Sequence, residues 1–250
     1  TSIIACHLYV DHNGNGVADP GEVGLAGLVV TLSNGMTATT AADGAYTFTV
    51  AAGTYTITVT DLPGYISTGA ERGTVGSTII NNNTIVVSLA SGENSLGNNF
   101  LDAQPAGVGG NVWPDINLDG IQNNSELGAS GIAGVVVTLY HASDNRVVMT
   151  TTTDTQGHYI FADLWPGAYY LQFTVPEGYQ VGSFNQGNDD TLDSDVDPLN
   201  NMQTPVVIVN SGEYSMTFDL GLAAMPTNLG DGSEPGVATP YRLYLPAVLR

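Results

Sequence analysis

The chain has 250 residues, of which 42% are hydrophobic, enough for one large core or two of about 100 residues each. Its 24 acidic side chains stand against four basic ones, all arginine, for a net charge of −20. That balance repels phosphate backbones and anionic membrane surfaces, excludes nucleic acid as a partner, and suits divalent cations.

From the N-terminus, IIACHLYV (residues 3–10) reads as a first strand, with Cys6 as a small buried side chain within it. As the single cysteine, Cys6 also excludes an intramolecular disulfide. Next comes DHNGNGVADPGE, residues 11–22, which fits the twelve-residue calcium-loop pattern D-x-[DN]-x-[DN]-G-x5-E. Asp11, Asn13 and Asn15 occupy positions 1, 3 and 5. Gly16 allows the sharp turn, Val17 offers its carbonyl, and Glu22 can supply two oxygens, the hard donors calcium prefers.

The following runs alternate with period two. Leu28, Val30 and Leu32, then Tyr46, Phe48 and Val50, then Tyr55, Ile57 and Val59 each put one set of side chains on one face. Gly, Asn, Asp and Pro punctuate these runs, and no stretch carries the i, i+3, i+4 spacing of a helix. An all-β architecture is expected.

The pattern then repeats. GLAGLVVTL at 24–32 returns as GIAGVVVTL at 131–139, DGAYTF at 43–48 as QGHYIF at 156–161, and GTYTITVTDLPGY at 53–65 as GAYYLQFTVPEGY at 167–179. SGE at 91–93 returns at 211–213. Two tandem Ig-like β-sandwich domains follow, over 1–104 and 105–224, joined at Gln104-Pro105-Ala106-Gly107.

The calcium-loop pattern repeats with them, as DINLDGIQNNSE at 115–126, with Asp115, Asn117, Asp119, Ile121 and Glu126 in the ligand positions. One such match is open to reading as an Asx turn with incidental acids; two at equivalent places in two repeats argue for a pair of metal-binding staples between first and second strands. Asn15 stands where the second loop has Asp119, so the first loop is expected to bind more weakly. Further on, NDDTLDSDVDP packs Asp189, Asp190, Asp193, Asp195 and Asp197 into nine residues. Such density is repulsive unless a cation sits among the carboxylates, the other reading being a solvated acidic loop. The first repeat has GAERGTVGSTIINNN instead.

The order VW-x-D-x-N-x-DG-x5-E (Val112 to Glu126), Gly131 to Leu139, Thr153 to Phe161, Pro176 to Tyr179, Asp193-Ser194-Asp195 and Asp219 to Leu222 resembles the SdrD B-like domain of bacterial surface proteins, in the Cna B-type β-sandwich group. The likeness covers nearly all of 107–222 and, more loosely, 3–103. It implies Ca2+-stiffened modules in tandem, serving as stalks or spacers outside the cell. With it, the acidic run is expected to hold further calcium, giving one ion in the first domain and two or three in the second. Cna B-type relatives often carry a Lys–Asn isopeptide crosslink. A chain without lysine cannot form it, which leaves rigidity to calcium.

No catalytic constellation is legible. The histidines (His7, His12, His141, His158) are scattered, and neither G-x-S-x-G nor H-E-x-x-H occurs. Trp113 is expected to pack beside its loop, and Trp165, at a turn, to be exposed. No apolar stretch approaches the ~20 residues of a membrane span. Thr1 follows no initiating Met or basic leader, so an exported protein with its leader removed is expected. After a Pro/Gly-rich linker at 225–240, YRLYLPAVLR (241–250) reads as an extended strand, with Tyr241, Leu243 and Leu245 on one face. It could fold back on the second domain, serve as an anchoring signal, or add itself to a neighbouring subunit and so build a head-to-tail homopolymer. The reading is a non-enzymatic extracellular structural protein. The alternative is an adhesin, spacer or secreted accessory module that binds a protein or carbohydrate ligand as a monomer.

Overall fold

A computed structural model describes residues 1–126 and 130–226. Apart from Met225 and Pro226, the expected linker at 225–240 and the strand at 241–250, with Tyr241, Leu243 and Leu245, lie outside the described residues. Among the described residues every regular element is a strand.

In the first sandwich the strands are β1 (Ser2–Val10), β2 (Val29–Leu32), β3 (Thr37–Thr39), β4 (Ala45–Val50), β5 (Gly53–Val59), β6 (Ile66–Ala70), β7 (Ser77–Asn81), β8 (Thr84–Leu89), β9 (Ser95–Leu96) and β10 (Phe100–Ala103). One sheet runs β4-β1-β10-β6, with β9 also beside β1, and the other runs β3-β2-β5-β8-β7. The second sandwich has β11 (Ala106–Pro114), β12 (Val136–His141), β13 (Val147–Thr152), β14 (His158–Leu164), β15 (Gly167–Thr174), β16 (Tyr179–Val181), β17 (Val207–Val209), β18 (Tyr214–Ser215) and β19 (Leu220–Ala224). Its sheets run β14-β11-β19-β16, with β18 beside β11, and β13-β12-β15-β17.

The period-two alternation accounts for both cores. Leu28, Val30, Leu32, Tyr46, Phe48, Val50, Ile57 and Val59 are buried together in the first, while Tyr55 packs at its margin. Val135, Val137, Leu139, Tyr159, Phe161, Tyr169, Leu171 and Phe173 do the same in the second. Cys6 is buried in β1, where the Asn98 amide lies 3.2 Å from its sulfur. Trp113 is buried and Trp165 is half exposed, as the sequence suggests.

In each sandwich the first strand lies parallel to the last, β1 on β10 and β11 on β19. The chain must therefore leave the first strand across the end of the sandwich, and it does so through residues 11–22 and 115–126. Those segments are anchored alike at their first residue: the Asp11 amide donates to Asp102 O at 2.8 Å and the Asp115 amide to Leu222 O at 3.0 Å.

Only Gln104 and Pro105 separate β10 from β11. The first sandwich's 11–22 loop reaches this joint. The Ser211 amide donates to His12 O at 2.9 Å, the Gln104 amide to Ser211 Oγ at 2.8 Å, and the Gly212 amide to Gln104 O at 3.1 Å. A Cβ on Gly14 would stand 2.3 Å from Pro166 O, so this loop position lies directly on the β14–β15 turn and is closed to larger residues.

Candidate metal centres

The two loops share one hydrogen-bond scheme. Position 1 receives the amide of position 6: Gly16 N to Asp11 Oδ2 at 2.8 Å, and Gly120 N to Asp115 Oδ2 at 3.0 Å. Position 3 receives that of position 5, from Asn15 to Asn13 and from Asp119 to Asn117. Position 5 receives that of position 7, from Val17 to Asn15 and from Ile121 to Asp119. The closing glutamate spans the loop, with one oxygen on the amide of position 2 (His12, 2.9 Å; Ile116, 2.8 Å) and the other on that of position 9 (Asp19, 3.1 Å; Asn123, 3.0 Å). Position 4 has positive φ in both, Gly14 at 73° and Leu118 at 61°, as does position 6, Gly16 at 74° and Gly120 at 76°.

These bonds fix each oxygen's direction, and each acceptor keeps capacity for a cation. Asp11 and Asp115 are fully buried, and Asp115 Oδ1 has no hydrogen-bond partner at all. A buried carboxylate oxygen left without a donor is costly, and a cation at the loop centre would remove that cost. The residues therefore fit calcium: Asp11, Asn13, Asn15, Glu22 and the Val17 carbonyl in one loop, and Asp115, Asn117, Asp119, Glu126 and the Ile121 carbonyl in the other.

The spacing pattern passes over Asp19. It sits at position 9 and accepts from the side-chain amides of Asn13 and Asn15, each at 2.8 Å. Counting it gives each loop three carboxylates, which removes the charge difference behind the expectation of a weaker first site. The crowding is felt in the carboxyl groups. Burial, then the charges of Asp11 and Asp19, hold Glu22 above the usual carboxylate range. Burial, with Glu126 and Asp119, does the same to Asp115.

The acidic segment packs behind the second loop. Ile121 bridges Asp193, and the Ser194 amide donates to Gly120 O at 2.9 Å. Ligand oxygens of Asp190, Asp193 and Asp195 come within 4.8 Å of one another. Asp189 and Asp197 lie outside that triad. Asp189 Oδ1 accepts from the Thr191 amide and hydroxyl, and Asp197 Oδ1 from the Leu199 amide at 2.8 Å, so both close local turns. The acid that sequence proximity leaves out of the cluster is Asp219, immediately before β19, whose amide donates to Asp195 Oδ2 at 2.7 Å. Burial and the neighbouring acids push Asp195 up to about 8 and Asp219 up to about 7.

A pH dependence follows for the calcium-free chain. These two aspartates bind protons in the folded state at pH values where the unfolded chain has released them. The stability they contribute is complete below the ordinary carboxylate range and is lost as pH rises to and through about 7 to 8. Each extra proton held by the native state costs about 1.4 kcal/mol for every tenfold drop in proton concentration. Melting temperatures in chelator are therefore expected to fall between about pH 5.5 and 8.5, and saturating calcium should flatten that slope. A chelator series with no slope would show these carboxyls to be ionised without penalty.

Comparison with known proteins identifies the family. The SdrD B-like domain family matches residues 4–101 and again 106–222. A serine-aspartate repeat-containing protein F of Staphylococcus epidermidis is 34% identical over 232 residues, 90% of this chain and 13% of that protein. A serine-aspartate repeat-containing protein D of Staphylococcus aureus (strain Newman) is 34% identical over 229 residues, 86% of this chain and 17% of that one. The chain thus spans under a fifth of the length of these relatives. Among solved structures, the minor pilin GBS52 of Streptococcus agalactiae aligns over 96% of this chain and all of its own, at 13% identity and a TM-score of 0.34. With its two matches in tandem, the chain belongs to the SdrD B-like domain family.

Proposed function

We propose that this chain is a non-enzymatic, calcium-stiffened structural segment of a bacterial surface protein, acting outside the cell as a stalk or filament unit. One observation carries the reading: two twelve-residue loops, placed alike in two sandwiches, hold every acidic or amide ligand position against the loop's own amides. Such preorganisation serves a bound ion. In each loop the first aspartate, Asp11 or Asp115, is buried, where a bound cation would offset the cost of its charge. Family membership supports the surface location.

The assembly part of the proposal rests on Tyr241, Leu243 and Leu245 in the 241–250 segment, which would add as a strand to the next copy, head to tail. Negative-stain electron microscopy of the full chain in millimolar calcium tests it. Ordered filaments that disappear when 241–250 is removed are expected. Dispersed two-lobed particles would remove the polymer and leave an adhesin stalk or spacer.

A further inference from the structure

The two sandwiches differ at one core position that matters for charge. β10 and β19 are equivalent strands, and their registers set Asp102 opposite Val10 where Leu222 stands opposite Pro114. Leu222 belongs to the second core. Asp102, in the same place, is fully buried, and neither of its carboxylate oxygens has a hydrogen-bond partner. An ionised carboxylate with no donor is among the least favourable groups to bury.

What surrounds it is oxygen. Ser67 is its cross-strand partner on β6, and directly opposed residues share a face. Ser67 Oγ lies 2.8 Å from Asp61 Oδ1, beyond the end of β5, and 2.6 Å from Asn83 Oδ1 on the β7–β8 turn. One hydroxyl hydrogen cannot serve both acceptors. Turning the Asn83 amide would supply Ser67 with a donor and leave its hydroxyl for one of the two acids, Asp61 or Asp102, but not for both. Asp61 is the charged group that acts on Asp102, and burial together with that charge holds the Asp102 carboxyl up to about 7. Two acids, a hydroxyl and an amide oxygen therefore converge with no lysine or arginine among them.

We propose that Asp102, Asp61, Ser67 and Asn83 form a cation site in the first sandwich, separate from the 11–22 loop, that takes calcium through oxygen donors alone. The four side chains offer up to six oxygens, in the range calcium uses when water completes its shell. The site has no counterpart in the second sandwich, where Leu222 replaces the central acid. It raises the first sandwich above the single ion expected from its sequence.

The test is the number of calcium ions held per full-length chain at saturation, by native mass spectrometry and equilibrium dialysis. Asp102→Leu, which copies the second sandwich, and Asp61→Asn, at a half-buried position, are each expected to hold one ion fewer than the unmodified chain. In chelator, Asp102→Leu should melt higher than the unmodified chain, and it should gain less on adding calcium. Should Asp102→Leu fail to fold, the count for Asp61→Asn decides alone. An unchanged count in the folded variants overturns the site and leaves a carboxylic acid that is buried protonated. Glu22→Gln, run alongside, reports the loop independently: a count that falls for Asp102→Leu but not for Glu22→Gln would keep this site and reject the loop reading.

Discussion

Moving the full chain from millimolar calcium into excess chelator is expected to lower the melting temperature of each sandwich by about 10–20 °C. The magnitude comes from linkage. One site held at a hundred times its dissociation constant contributes about 2.7 kcal/mol, and each 1 kcal/mol moves the midpoint of a domain of this size by roughly 4–8 °C. Against a total stability of about 5–15 kcal/mol that is a large share, and few other sources can replace it. The chain has one cysteine and no lysine, so neither a disulfide within it nor an isopeptide crosslink can tie the strands. Its net charge of −20 adds self-repulsion that bound cations would offset. The variants separate the contributions. Glu22→Gln should abolish most of the calcium gain contributed by the 11–22 loop and spare the second sandwich, while Glu126→Gln should do the reverse. Each glutamate closes its own loop across positions 2 and 9. Differential scanning calorimetry with and without calcium reads both. Superimposable melts in the two buffers would show that the loops are rigid without metal and that calcium adds nothing to the fold.

The strands are legible in the sequence because each face is either core or solvent. Leu28, Val30 and Leu32 alternate with exposed or half-buried neighbours, and the burial follows that alternation. The loops are legible because wrapping a cation fixes chemistry at set intervals, which chain spacing preserves. Asp19 shows where spacing stops short: position 9 varies between the repeats, aspartate in one and asparagine in the other, and a pattern that leaves it open passes over it. That Asp219 meets Asp195, and that Asp102 is buried beside Ser67, is not legible at all. Asp102 lies on the last strand of its sandwich and Asp219 immediately before its own, and the environment of each is made by residues distant in sequence, Ser67 for one and Asp195 for the other. Asp189 and Asp197 differ in the opposite direction, close to the triad in sequence but outside it in space. Their proximity in sequence suggests a shared site, but an aspartate two residues before a free amide closes its own turn first. The contact of the first loop with the second sandwich is likewise beyond reach, because it joins residues about two hundred positions apart.

That contact leads to an asymmetric result: losing calcium from the first loop should loosen the joint between the sandwiches, and losing it from the second should not. The path is short. Glu22, a ligand position, accepts from the His12 amide at 2.9 Å, and the carbonyl of His12 accepts from the Ser211 amide at 2.9 Å. A single residue thus passes from metal ligand to neighbouring sandwich. Gly14, two positions on, lies against Pro166. The linker itself is only Gln104 and Pro105, held by Ser211 Oγ and Gly212 N. Relative motion is the default for tandem domains with a small polar contact, so what holds the angle is the conformation of residues 11–22. Ile116 and Glu126 repeat the first half of this path in the second loop, at 2.8 Å, at the end of the second sandwich away from the joint. Small-angle scattering, with fluorescence energy transfer between probes on the two sandwiches, would measure the difference. In calcium the unmodified chain and Glu126→Gln should show one narrow interdomain distance, and Glu22→Gln a broad distribution like that of the unmodified chain in chelator. Equal broadening by both glutamine variants would mean that calcium stiffens each sandwich separately and that the joint is held by the Gln104 and Ser211 bonds alone.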